Sequence, residues 1–160
     1  DKTALGLDIL RNVILDSTRF DYAFKTYISR WAFKHPQPED FFRTMNDAAG
    51  EDLNWFWKEW FFTTWKLDQG IRGVSYINND PSQGALITIA NFDKMAMPVI
   101  VQVKEENGNY QTIKLPVEIW QRGNVWTFKY NSTSPITSVL LDPDNLLPDV
   151  NPGNNSWQAQ

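Results

Sequence analysis

Few side chains in this 160-residue sequence have the type and spacing that chemistry requires. His35 is the only histidine, and there is no cysteine. A zinc site needs three or four converging ligands, mostly His or Cys. One histidine between an aromatic helix end, Trp31-Ala32-Phe33, and two prolines, Pro36 and Pro38, does not supply them, and a loop role is favoured. Glu105 and Glu106 could serve as acid–base carboxylates. They adjoin Asn107-Gly108, a turn signal, and adjacent strand residues point to opposite faces, so a solvated turn is favoured over a catalytic pair. Asp47, Glu51 and Asp52 flank an expected helix–helix junction. Capping accounts for them better than calcium does, because the spaced oxygen ligands of a calcium loop are missing. No residue is assigned a catalytic, cofactor-binding or metal-binding role.

Other patterns would bind rather than catalyse. Trp55, Trp57 and Trp60 cannot share one face of a helix, and Trp55 is the one left to face a partner surface. Trp120 and Trp126 fall on expected strands. Core packing is favoured for them, with a sugar-stacking platform as the alternative. Asn131-Ser132-Thr133 matches a glycosylation acceptor, which matters only in a eukaryotic secretory route. The eight glycines form no cluster, which argues against a phosphate-cradling loop.

Composition narrows the classes further. Hydrophobic residues make up 42% and charged residues 21%, a globular balance with eight Trp and ten Phe available for a core. Net charge is −4, and both halves are mildly acidic. Nucleic-acid and anionic-membrane partners are therefore not expected. No apolar run approaches the ~20 residues that span a bilayer. No signal peptide is visible. The chain enters a helical pattern without a start signal, which reads as a cut inside a longer protein.

The elements that would position these residues fall into two halves. Leu5, Ile9 and Val13, with Leu10 and Ile14 beside them, predict a first helix. Thr18 and Asp21 are spaced as a capping box for a second helix, whose stripe is Phe20, Phe24, Tyr27, Ile28 and Trp31. Pro38, Glu39 and Asp40 predict the start of a third helix and Gly50 its end. Asp52 is placed to cap a fourth, burying Leu53, Phe56, Trp57, Trp60 and Phe61. Beyond Asp68-Gln69-Gly70 the pattern becomes short alternating runs: 74–76, 86–89, 99–103, 110–113, 125–128 and 138–141. Asn107-Gly108 is a hairpin signal with positive φ angles at its centre. The fold class is α+β: an N-terminal helical segment followed by an antiparallel β-sandwich. The expected divisions are 1–69, 70–150 and a frayed polar tail over 151–160.

The sequence resembles the aminopeptidase N family of zinc metallopeptidases (peptidase family M-one, gluzincin type), in its bacterial members. Lys2 with Leu10-Arg11 resembles the helix after that family's catalytic tyrosine. Phe20, Tyr27 and Trp31 to Asp40 resemble the next helix and its loop, and Asp40-Phe41-Phe42, Gly50 and Trp57 to Phe61 the end of the thermolysin-like catalytic domain. Asn91, Met97-Pro98-Val99, Leu141-Asp142-Pro143-Asp144 and Asn154-Asn155 resemble the small β-sandwich domain that follows it. The resemblance implies that the parent is a peptide hydrolase in which zinc is held by an H-E-x-x-H helix and a further glutamate. No H-E-x-x-H occurs here, and the family tyrosine would precede Asp1. None of the family's catalytic residues carries over.

The expectation is a non-catalytic C-terminal fragment that scaffolds the catalytic lobe. It would carry no cofactor itself, with zinc in the parent. Its partners would be the upstream lobe and, for the parent, a peptide substrate. By resemblance, the parent would sit in a bacterial periplasm or envelope, or be secreted. The alternative is a standalone β-sandwich module that binds sugar or peptide.

Overall fold

The computed structural model describes residues 1–160, in two compact units, Asp1–Thr64 and Trp65–Gln160. The first is helical and the second is a β-sandwich, as the periodicity predicts.

In the helical unit, α1 covers Lys2–Ile9 and runs directly into a π-helical turn, Leu10–Ile14. Leu15 N–H donates to the Leu10 carbonyl at 2.8 Å, five residues back. Such wide turns are rare. The buried side of this segment is Gly6, Ile9, Leu10 and Val13, while Leu5, expected inside, is exposed. Gly6 decides this rotation. A Cβ there would run into the Trp60 indole, so the helix comes close to that ring only at a residue without a side chain. Trp60 Nε1–H donates to the Lys2 carbonyl at 2.9 Å, using one of the backbone acceptors at the start of α1.

Helix α2 spans Ser17–Trp31, and its cap is Asp16 rather than Thr18: the Asp16 carboxylate accepts from Arg19 N–H at 2.8 Å. Asp21 is drawn away to Arg11, which reaches it through Nε and Nη2 at 3.0 and 3.3 Å. Helix α3, Pro38–Ala49, starts and stops where expected. Gln37 N–H donates to Asp40 at 2.8 Å, and Gly50 ends the helix at φ 69. Helix α4 spans Asn54–Phe62. Its N-terminal boundary residue is Leu53, and Asp52 instead accepts from Asn54 N–H at 2.9 Å. Aromatic rings bind α3 to α4: Phe42 stacks on Trp57 at 4.8 Å, and Phe41 meets Trp57 edge-on at 5.6 Å.

The β unit has two antiparallel sheets. One is ordered β1–β2–β5 and the other β4–β3–β6–β7. The strands are β1 Gln69–Tyr76, β2 Ala85–Asn91, β3 Val99–Glu105, β4 Tyr110–Leu115, β5 Val125–Tyr130, β6 Ile136–Leu141 and β7 Ser156–Gln158. Alternate residues of β2, β3 and β6 meet in one core, including Ile87, Ile89, Val101, Val103, Val139 and Leu141. The unit begins before the expected boundary at residues 69/70, because Leu67 is buried and bridges Asp149. The last ten residues are not frayed. Strand β7 pairs with β6, half-buried Trp157 packs on the core, and Asn154 Nδ2 donates to Asp68 at 2.8 Å.

No helix is long and apolar enough to cross a membrane.

Candidate functional site

The residues singled out for chemistry are scattered. His35 is exposed in the turn between α2 and α3. No group of three or more His, Cys, Asp or Glu side chains is gathered so as to hold a metal ion.

Asp47, Glu51 and Asp52 line a shallow depression with Asn46, Gly50 and Asn54. Local hydrogen bonds explain its shape. Asn46 Oδ1 accepts from Trp57 Nε1 at 2.9 Å and from Leu53 N at 3.3 Å, and Asn46 Nδ2 donates to Asn54 at 2.9 Å. Trp57 and Trp60 are buried. Trp55, expected to face a partner, is half-buried with its ring against Phe56 at 5.8 Å.

Glu105 and Glu106 part company. Glu106 is exposed, but the Glu105 carboxylate is buried at 6% exposure, contrary to the solvated turn expected. Glu105 Oε1 accepts from Thr133 N at 2.7 Å, Ser134 N at 2.9 Å and Thr133 Oγ1 at 3.1 Å, and Oε2 accepts from Tyr130 at 3.0 Å. The alternation of β3 turns this side chain inward, where donors from the β5–β6 connection meet it. Burial pushes the carboxyl pKa up, but the hydrogen bonds from Thr133, Ser134 and Tyr130 outweigh it and hold Glu105 below the usual carboxylate range. Tyr130 is pushed up to about 12 by burial and by donation to Glu105. This cluster has its donors and acceptors matched, and it fastens one loop to another.

Trp120 is half-buried and donates from Nε1 to the Met97 carbonyl at 3.0 Å. Trp126 sits opposite Ile89 on the core-facing side of edge strand β5, and is 38% exposed. Asn131 is exposed, while the Thr133 hydroxyl of the same tripeptide is engaged by Glu105 and Asn107.

The outward face of α2 and the turn that follows it also meet solvent. Tyr22, Lys25, Thr26, Ser29 and Arg30 lie together on one open, nearly flat side of the helix. Ile28, placed on the buried stripe by spacing alone, is exposed. The helix then ends in a tight turn closed by Lys34 N donating to the Trp31 carbonyl at 3.0 Å. Ala32 at φ −54, ψ 131 and Phe33 at φ 61 give it a type II form, with phenylalanine where glycine is usual. Phe33 is fully exposed. Trp31 anchors the turn: its Nε1 donates to Thr44 at 3.2 Å, and Lys34 Nζ lies 5.9 Å from its ring centre. A sequence signal was available, since Tyr22 to Gln37 contains Lys25, Arg30 and Lys34 but no Asp or Glu.

No protein-family model and no curated protein sequence matches the chain. Among solved structures it is similar to Legionella pneumophila aminopeptidase A, crystallised in complex with aspartic acid. The likeness is one of fold. Identity is 12%, the TM-score is 0.69, and the match covers 92% of this chain and 17% of that protein. The chain thus spans about a sixth of that enzyme's length and shares an aminopeptidase-related fold with it.

Proposed function

We propose that this chain is the non-catalytic C-terminal portion of a zinc-dependent peptidase of the aminopeptidase N type, and that it scaffolds the catalytic lobe. The observation that carries the reading is the match of helices followed by sandwich to part of an aminopeptidase, over 92% of the chain. The motif resemblance in the helical half and around Met97-Pro98-Val99 points the same way. In this reading the parent hydrolyses peptide bonds with zinc and catalytic residues that lie upstream. The helical unit supports the back of that lobe, the sandwich follows it, and the parent works in the bacterial envelope or outside the cell.

The test pairs two proteins. The full reading frame upstream of Asp1 should encode H-E-x-x-H, a further glutamate and a tyrosine directly before Asp1. Its product should cleave an aminoacyl-amide and lose that activity to a chelator. Zinc-dependent cleavage by the pure 160-residue chain, or an unrelated domain upstream, would overturn the reading.

The partial exposure of Trp126 favours one second reading, a sugar- or peptide-binding sandwich. A saturable change in Trp fluorescence on glycan titration, lost in Trp126→Ala, would move the weight to it.

A further inference from the structure

We infer that the outward face of α2 and the turn at Ala32–Lys34 form the surface by which this chain docks on the rest of its parent, against an apolar pocket rimmed by carboxylates. This rests on the reading of the chain as one portion of a longer peptidase.

Three large apolar side chains meet solvent here: Tyr22 is 63% exposed, Ile28 is 53% exposed and Phe33 is fully exposed. Isolated exposed apolar residues need no explanation, but Tyr22 and Ile28, about 120° apart around α2, bracket its solvent side, and Phe33 follows in the adjoining turn. Phe33 adds a backbone argument. A bulky residue at φ 61 is a genuine outlier, and glycine would hold the turn without strain. Nothing within the helical unit covers the ring. Strain of this kind persists where the side chain is needed, and a contact outside the chain would supply the need.

Charge specifies what that contact looks like. The chain nets −4, yet the 16 residues from Tyr22 to Gln37 carry three cations and no carboxylate. The nearest carboxylates on the same helix are occupied: Asp16 holds Arg19 at 2.9 Å and Asp21 holds Arg11 at 3.0 Å. Lys25 acts on Asp21 and Lys34 lies near the Trp31 ring, and together with Arg30 they leave this stretch net positive around the aromatic residues. Interfaces pair such a patch with the opposite sign, and tyrosine, phenylalanine and arginine are favoured anchors. The occupant is the remainder of the parent: the similar aminopeptidase is about six times the length of the matched region, which leaves most of such a protein outside this chain.

Hydroxyl-radical footprinting of the 160-residue chain and of the full-length parent, read by peptide mass spectrometry, tests this. Tyr22, Ile28 and Phe33 should label readily in the chain and be protected in the parent, because the core of an interface is closed to solvent. A second measurement uses Phe33→Gly. It should leave the melting temperature of the chain unchanged or higher, because strain is relieved, and should lower that of the parent. Equal labelling in both proteins, with protection appearing at other residues of this chain, overturns the docking surface and leaves the peptidase reading standing. Protection that appears only on adding vesicles of anionic lipid overturns it in favour of a membrane surface. An upstream sequence with no peptidase lobe overturns both.

Discussion

The Tyr130 hydroxyl donates to the Glu105 carboxylate at 3.0 Å inside the sandwich, linking the end of β5 to the end of β3. Thr133 and Ser134 close on the other oxygen of that carboxylate, and Asn107 reaches across to Thr133 at 3.0 Å and Ser134 at 3.2 Å. The β3–β4 hairpin and the β5–β6 connection are therefore one hydrogen-bonded body. Glu105→Ala removes the shared acceptor and leaves the buried Tyr130 hydroxyl and the part-buried Thr133 and Ser134 amides without it. A loss of about 3 kcal/mol is expected for the β unit, within the range for breaking charged, buried hydrogen bonds. Urea unfolding followed by far-UV circular dichroism measures it, and a loss under half of that would show the donors finding water instead.

The same pair gives the sandwich a stability profile with two arms. Glu105 titrates below its ordinary value in the fold, so its contribution is complete above the unfolded carboxylate range and is lost as pH falls through the lowered folded value. Tyr130 is raised from 10.0 to about 12, so its contribution is complete below pH 10 and is lost as pH climbs towards 12. Tyr130→Phe should flatten the alkaline arm and keep the acid one. Thermal melts of both proteins between pH 9 and 12 decide it, and parallel curves would count against the assignment.

Gly6 fixes the position of α1 against Trp60, and Gly6→Ala tests that contact. The added methyl would meet the indole ring, so α1 must shift and the Trp60 bond to the Lys2 carbonyl must lengthen. Overpacking of this kind costs about 1–3 kcal/mol, whereas alanine in an unconstrained helix would stabilise it. The sign of the change in the melting temperature of the helical unit is therefore diagnostic.

Much of this architecture was legible because the periodicities differ: 3.6 before Asp68 and 2 after it. Pro38 and Gly50 mark α3 correctly because their backbone preferences are local. The misread elements depend on distant partners. Leu5 faces solvent because Gly6 must face Trp60, and no helical period discloses that. Asp16 rather than Thr18 caps α2 in a fold where Arg11 takes Asp21. The polar segment from Asn151 pairs as β7 because Trp157 has a core to reach. Glu105 looked solvated because its donors lie about thirty residues further on. The basic, aromatic stretch from Tyr22 to Gln37 was visible as a run without carboxylates, but its exposure was not.

The β3–β4 hairpin separates two readings of Asn107-Gly108. A two-residue turn of the primed type would need positive φ at both positions. Only Gly108 has it, at φ 89, while Glu105 N donates to the Asn109 carbonyl at 2.8 Å and Gly108 N to the Glu105 carbonyl at 3.0 Å. That is a three-residue loop closed by a left-handed glycine. Gly108→Ala forces an L-residue into that conformation and should cost about 1–2 kcal/mol. Asn107→Ala meets no backbone penalty. It loses only side-chain bonds, to Asn109 N at 3.0 Å and to Thr133, and should cost about 1 kcal/mol or less at this exposed site. Chemical denaturation of the two variants side by side measures the order. Equal costs, or a larger one for Asn107→Ala, would point to the primed turn.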